Sequence, residues 1–89
     1  MAVRRYDLTF AQKAVRSLGK LDRQVAQRIR EAAEALCDDP RPPGARMLAG
    51  MHGVWRVRVA KDYRIVYEVD DGLLVILVVD AGHRREIYR

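Results

Sequence analysis

Two short stretches decide the fold: Val54–Val59 (VWRVRV) and Tyr63–Val69 (YRIVYEV). In both, large apolar side chains alternate with arginine or other polar side chains, which is the period of a β-strand that buries one face. Only Ala60-Lys61-Asp62 separates them. The spacing therefore predicts an antiparallel hairpin.

The register of this hairpin follows from its hydrophobic pattern. A two-residue turn at Lys61-Asp62 would pair Arg58 with Ile65 and bring a charge beside the core. A three-residue turn pairs Arg58 with Arg64 and keeps all but one of the large apolar side chains on the face toward the helices. The pattern selects the three-residue turn, in which Asp62 at the third position tolerates a left-handed conformation.

In this register Arg56, Arg58 and Arg64 share the face that points away from the core, and we expect that face to be exposed. Like charges placed opposite each other destabilise a sheet, so the cluster favours a site for a polyanion. The alternative is a solvated face on which Glu68 is a local partner. One acidic side chain cannot balance three arginines, which favours the phosphate site.

The rest of the chain supplies the other elements. Its pattern predicts an α+β fold of order β-α-α-β-β-β, a helical hairpin packed on a small antiparallel sheet, as a single domain over residues 1–89. The predicted features are a strand at Val3–Leu8, a helix from Phe10 to Gly19 with a Thr9–Gln12 capping box, a helix capped by Asp22 and ended by Asp38-Asp39-Pro40, a loop at Pro40–Gly53, a turn at Asp71-Gly72, a central strand at Leu73–Val79 and a short strand at Glu86–Tyr88.

Composition narrows the function classes. The chain has 17 basic and 12 acidic side chains, a net charge of +5. Residues 41–64 alone hold six basic side chains and one acidic, again +5, which suggests a surface for phosphates or an acidic protein. One cysteine and two histidines make neither an internal disulfide nor a zinc set, so we expect no metal and no cofactor. We expect no signal peptide, no membrane span and a cytoplasmic location.

Several motifs together resemble the RelE/ParE toxin superfamily, and the RelE branch most closely. They are Met47–Met51, Trp55–Val59, Tyr63–Tyr67 and Gly82–Tyr88. The Tyr-Arg-Ile-Val-Tyr strand and the Gly-His-Arg ending are the most specific of them, and the resemblance covers nearly the whole chain.

The resemblance implies a metal-free endoribonuclease that cleaves mRNA in the A site of the small ribosomal subunit. The 2′-hydroxyl attacks the adjacent phosphate, and the products are a cyclic phosphate and a 5′-hydroxyl. It also implies a RelB-like antitoxin as partner, with operator DNA bound only through that antitoxin. The catalytic positions carried over by the resemblance are Arg56, Arg58, Arg64, Arg84 and Tyr88.

The chain departs from some relatives that carry lysines where Arg56 and Arg58 stand. An arginine does not lose its proton, so neither is a candidate general base. His83 has an ordinary pKa suited to proton transfer near neutrality, and it is our candidate for the base or acid. The alternative is a surface histidine beside a cationic cluster with no catalytic role.

Two other functions remain open from the sequence. A ParE-like toxin would share the fold and inhibit DNA gyrase without cutting RNA. A non-enzymatic module would only bind its antitoxin and operator DNA. The arginine cluster with Tyr88 favours the nuclease, while a cluster without a usable acid or base would favour the binding module.

Overall fold

A computed structural model describes residues 5–83, in which two helices pack on one face of a five-stranded sheet. The α+β class predicted from the sequence is confirmed. The elements in chain order are β1 (Asp7–Phe10), α1 (Gln12–Gly19), α2 (Arg23–Leu36), β2 (Arg46–Met47), β3 (Val54–Val59), β4 (Tyr63–Asp70) and β5 (Val75–His83).

The sheet is mixed, so the prediction of a purely antiparallel sheet was wrong. Its strand order is β1-β5-β4-β3-β2, and β1 runs parallel to β5 while the other pairs are antiparallel. The reason is the long connection through α1 and α2, since a crossover of this length allows parallel pairing. β5 is thus paired along both edges, as its apolar run predicted.

The first helix begins later than predicted. Thr9 and Phe10 belong to β1, where Thr9 pairs with Leu77. The residue before α1 is Ala11, which makes no side-chain capping bond. Its backbone N–H instead donates to the Val78 carbonyl at 2.8 Å, which ties this junction to β5. Ladder bonds to the sheet therefore replace the expected Thr9 capping box.

The second helix and the hairpin follow the predictions closely. The Asp22 carboxylate accepts a bond from the Gln24 backbone N–H at 2.8 Å and caps α2. The β3–β4 register pairs Arg58 with Arg64, as the three-residue turn requires. The left-handed residue of that turn is Ala60, with φ of 54°, and not Asp62.

The core lies between the helices and the sheet. Residues of α2 and the inward-facing residues of β4 and β5 are almost completely buried there, which makes this face the main source of hydrophobic stabilisation. The fully buried side chains include Ile29, Ile65, Tyr67, Ile76 and Val78. Trp55 packs against this core, as its position on the inward face of β3 predicted.

The loop after α2 contains the short strand β2, which the sequence did not predict, paired with Trp55 and Arg56 of β3. The Tyr67 hydroxyl fixes the start of the loop by donating to the Pro40 carbonyl at 2.7 Å. Burial raises the pKa of Tyr67 to about 12. The hydroxyl therefore stays protonated and keeps this bond at neutral pH. The predicted strand at Glu86–Tyr88 lies outside the described residues.

Candidate functional site

The candidate site lies at the end of the sheet where β3 meets β4. Strand alternation places Arg56, Arg58 and Arg64 on the face opposite the helices, which we call the arginine face. Arg58 and Arg64 are direct cross-strand partners, and Arg56 pairs with Val66. Direct partners lie about 4.5–5.5 Å apart at their Cβ atoms, so the two arginine side chains begin next to each other on this face.

Arg64 is buried without satisfying its charge. Only 7% of the residue is exposed, and its Nε and Nη1 atoms find no hydrogen-bond acceptor among the described residues. A buried donor with no partner costs about 1–3 kcal/mol, and a charged one costs more. An anion that enters beside Arg64 would supply the missing acceptors. The unpaired guanidinium of Arg64 thus costs stability in the described part of the chain, and acceptors from a ligand would lower that cost.

The arginine face is less exposed than the sequence predicted. Val54, Arg64 and Val66 are buried, Arg56 is half-buried, and Arg58 is exposed. The reason is that β4 has a strand on each side, so neighbouring side chains shield its outward residues. Burial strengthens the electrostatic pull of Arg64 on an anion, because the surrounding dielectric is lower than water.

Glu68 does not pair with Arg64. The alternative considered from the sequence, in which Glu68 is a local partner of the arginines, is therefore not supported for Arg64. It lies four residues further along β4, about 13 Å away at the rise of a strand, opposite Val54 and Leu77. No ion pair joins Glu68 to Arg64 in the described part of the chain. Glu68 therefore does not balance the positive charge of Arg64.

His83 lies on the opposite face of the sheet from the arginine face. It is the cross-strand partner of Tyr63, while Gly82 is the partner of Arg64. The His83 ring contacts the Tyr63 ring edge-on, with centroids 5.5 Å apart. The structure therefore does not bring His83 beside the three arginines, although both positions lie at the same end of the sheet. The other two predicted site residues, Arg84 and Tyr88, lie outside the described residues.

The opposite end of the sheet carries negative charge. A cavity of about 410 Å³ lies there, and Glu68, Asp70 and Asp71 line it together with His52. The acidic side chains that line this cavity repel phosphate, so the cavity is unsuited to the predicted ligand. β4 consequently runs from a basic end at Arg64 to an acidic end at Asp70.

Arg41 belongs to the basic segment of the sequence but not to the arginine face. Its guanidinium lies 5.4 Å from the centre of the Trp55 ring and binds the Asp71 carboxylate through two bonds, the shorter 2.8 Å. The Arg41 hydrogen bond and that of Tyr6 hold the pKa of Asp71 below its usual value. Thirty residues separate Arg41 from Asp71, so no local pattern in the sequence indicates this pairing.

The described residues contain no group of three His, Cys, Asp or Glu side chains that could hold a metal ion. Cys37 is buried, and burial raises the pKa of its thiol. The thiol is therefore a poor nucleophile near neutral pH. Between residues 5 and 83, neither helix has the length and apolar character needed to span a bilayer.

Comparison with known sequences identifies the family. Residues 8–88 match the ParE toxin family of type II toxin–antitoxin systems. A RelE-like toxin protein of Escherichia coli is 33% identical over 81 residues, covering 90% of this chain and 84% of the relative. The mRNA interferase toxin RelE of Escherichia coli K12 is 29% identical over 86 residues, covering 93% of this chain and 90% of the relative.

Solved structures with the same fold agree. The RelBE2 toxin–antitoxin complex of Mycobacterium tuberculosis matches with a TM-score of 0.82 and 25% identity, covering 93% of this chain and 95% of that chain. Free Escherichia coli RelE, as a double arginine-to-alanine mutant, matches with a TM-score of 0.79 and 26% identity, covering 94% and 90%. This chain therefore belongs to the RelE/ParE superfamily, the toxins of type II toxin–antitoxin systems.

Proposed function

We propose that this toxin is a ribosome-dependent endoribonuclease that cleaves mRNA in the A site and is neutralised by a RelB-like antitoxin. The observation that carries the proposal is Arg64, a buried guanidinium with two unsatisfied nitrogen atoms and a second arginine directly opposite. An RNA phosphate offers negative charge and two non-bridging oxygens that accept hydrogen bonds from the planar guanidinium of arginine.

The proposed reaction needs no metal ion. The 2′-hydroxyl oxygen attacks the adjacent phosphorus, the bond from phosphorus to the 5′-oxygen breaks, and a cyclic phosphate and a 5′-hydroxyl form. The 2′-hydroxyl gives up a proton and the 5′-oxygen takes one. Arg56, Arg58 and Arg64 stabilise the negative charge that grows on the phosphoryl oxygens.

Proton transfer requires a group other than these arginines, because they stay protonated. The position of His83 on the helix side favours a role in binding RNA over the proton transfer suggested by the sequence. We keep Arg84 as a further cation and Tyr88 as an aromatic that stacks on a base, both by resemblance to RelE. Full cleavage by a His83→Ala variant would remove His83 from the list of acids and bases.

Primer extension on a reporter mRNA in a translating extract tests the proposal. The toxin is added to the extract with ribosomes present or removed, and the cut positions are mapped against the codons. We expect the wild-type toxin to cut inside codons only when ribosomes are present. The same cuts should be absent with an Arg64→Gln variant. Intact mRNA at concentrations that stop cell growth would contradict the proposal.

Inhibition of DNA gyrase is the second candidate, because the matching family is that of ParE. A gyrase inhibitor would act as a binding protein and leave mRNA intact. A gyrase supercoiling assay with the same preparation separates the two functions. Trapped DNA cleavage complexes without RNA cuts would favour the gyrase candidate.

An antitoxin partner is supported by relatives solved in such complexes, including the RelE–RelB pair of Pyrococcus horikoshii and the RelBE complex of Escherichia coli. A net charge of +5 on the toxin suits an antitoxin segment that is acidic and folds as it binds. Operator DNA would then be contacted by the antitoxin. Co-expression with a RelB-like antitoxin, followed by co-purification, tests this pairing.

A further inference from the structure

Tyr63 lies between two depressions on the face of the sheet covered by the helices. The smaller, of about 70 Å³, is lined by Tyr63 with Val25 and Arg28 of α2 and the Ala60 turn. The larger, of about 210 Å³, is lined by Tyr63 with Ser17, Lys20 and His83. Each depression thus combines the same aromatic side chain with one cation from the helical hairpin.

The two cations are available to a ligand. Lys20 and Arg28 are both exposed, and neither makes an ion pair in the part of the chain that the structure describes. Two acidic groups of this region already have partners. Asp22 caps α2 through the Gln24 N–H, and Asp80 accepts from Ser17 and binds Lys13.

These depressions lie at the same end of the sheet as the arginine face, but on the opposite face. Tyr63 and Arg64 are consecutive residues at the start of β4, and their side chains point to opposite faces. Consecutive Cα atoms are about 3.8 Å apart. A strand of RNA held at Arg64 would have to pass round this end of the sheet to reach Tyr63.

We propose that the Tyr63 depressions form a second subsite for single-stranded RNA, which binds a further nucleotide of the strand held at Arg64. This inference rests on the proposed nuclease function and extends it to a longer stretch of RNA. Base stacking on an aromatic ring with a nearby cation on the phosphate is the usual chemistry of such subsites.

The subsite is tested with a short RNA that carries 2′-deoxy sugars, so that it binds without being cut. Its affinity is measured as a function of salt for the wild-type toxin and for a Lys20→Gln/Arg28→Gln variant. We expect affinity to fall about tenfold and the slope of log K against log salt to become shallower by about 1.4, twice the value for one phosphate contact on a single strand. Tyr63→Leu should weaken binding about tenfold, and Tyr63→Phe should retain it.

Arg23→Gln/Arg30→Gln is the matched control, since it removes the same charge from exposed positions of α2 that line neither depression. An equal loss of RNA affinity in both double variants would mean that net charge alone explains the binding, and it would overturn the subsite. No change in the Lys20→Gln/Arg28→Gln variant would overturn the inference.

The same measurements separate this inference from the proposed function. If Arg64→Gln abolishes cleavage while the Lys20→Gln/Arg28→Gln variant binds and cleaves normally, only the second subsite is wrong. If the wild-type toxin binds the RNA only on a ribosome, the four variants are compared on ribosomes programmed with that RNA. No binding in either setting would contradict both proposals.

Discussion

The two faces of the sheet are built from alternating residues of the same strands, yet they bury different chemistry. On the helix side, Ile65 and Tyr67 are fully buried among apolar neighbours, and the Tyr67 hydroxyl has its acceptor. On the arginine face, Arg64 is nearly as buried and lacks acceptors for two of its nitrogen atoms. The first arrangement stabilises the fold. The second lowers stability, because a buried charged donor lacks acceptors, and such arrangements are found where a ligand supplies them.

Two arginines make the same contrast on a smaller scale. Arg41 reaches Asp71 across thirty residues and rests on Trp55, so its charge is balanced within the chain. Arg64 has no such partner among the described residues. We infer that Arg41 holds the loop in place and that Arg64 serves the ligand, although both belong to the same basic segment of the sequence.

The largest effect should come from removing the unsatisfied charge. We expect Arg64→Met to lower mRNA cleavage about 100- to 1,000-fold, the usual loss when one donor to a developing oxyanion is removed. The free energy of unfolding should stay the same or rise, because a buried charge without a partner is replaced by an apolar side chain. Primer extension and urea denaturation measure the two quantities.

Arg58→Met is the control for this change, since Arg58 is exposed and its replacement should alter stability by less than about 0.5 kcal/mol. A clear loss of stability in Arg64→Met would show that the guanidinium supports the fold. That result would remove the contrast between the two faces.

Ile65, the residue after Arg64, should show the opposite pattern, with a large loss of stability and little loss of cleavage. Ile65→Ala creates a cavity on the helix side and should cost about 2–5 kcal/mol of unfolding free energy. Ile65→Val is the milder variant if the alanine protein does not fold, and it should cost about 0.5–1.5 kcal/mol. Cleavage by the folded fraction should be nearly normal. A strong loss of activity at full folding would mean that the two faces are coupled.

A smaller effect should separate Arg41 from Arg64 through pH. The pKa of Asp71 is lowered in the folded protein, first by the hydrogen bond from Arg41 and then by that from Tyr6. The carboxylate therefore stabilises the fold above its unfolded pKa, and this contribution is lost as the pH falls through the lower folded value. Asp71→Asn should therefore lower the urea midpoint at pH 7, and lower it by less at acidic pH.

An equal fall of the urea midpoint at neutral and at acidic pH would show that the shape of the Asp71 side chain matters and its charge does not. Lys61→Gln is a suitable control, because Lys61 is exposed and has no ion pair in the described chain. Its midpoint should follow that of the wild type at both pH values.

Local patterns in the sequence were enough to predict the β3–β4 hairpin and the second helix. Alternation in β3 and β4 fixed the register, because a slip of one residue would have placed arginine in the core. The Asp22 cap was also predictable, since it depends on a hydrogen bond to the backbone N–H only two residues further along the chain. These features are local or nearly so, and local chemistry decides them.

Features that depend on distant partners were not predictable. The parallel pairing of β1 with β5 joins residues far apart in the chain, and it overrode the local capping signal at Thr9. The burial of Arg64 depends on strands at both sides of β4. The position of His83 depends on its pairing with Tyr63, so the sequence could place it near the arginines without showing that it faces away from them.

The smallest effect concerns the turn that joins the two arginine-bearing strands. Ala60 is exposed and takes a left-handed conformation, with φ of 54°, which strains any residue that has a Cβ atom. Ala60→Gly relieves that strain and makes the unfolded chain more flexible, so we expect a net gain of about 0.5 kcal/mol in unfolding free energy. Since the turn sets Arg58 opposite Arg64, cleavage should be unchanged if the register is kept. Stabilisation with reduced cleavage would show instead that the strained turn helps to position the arginines for RNA.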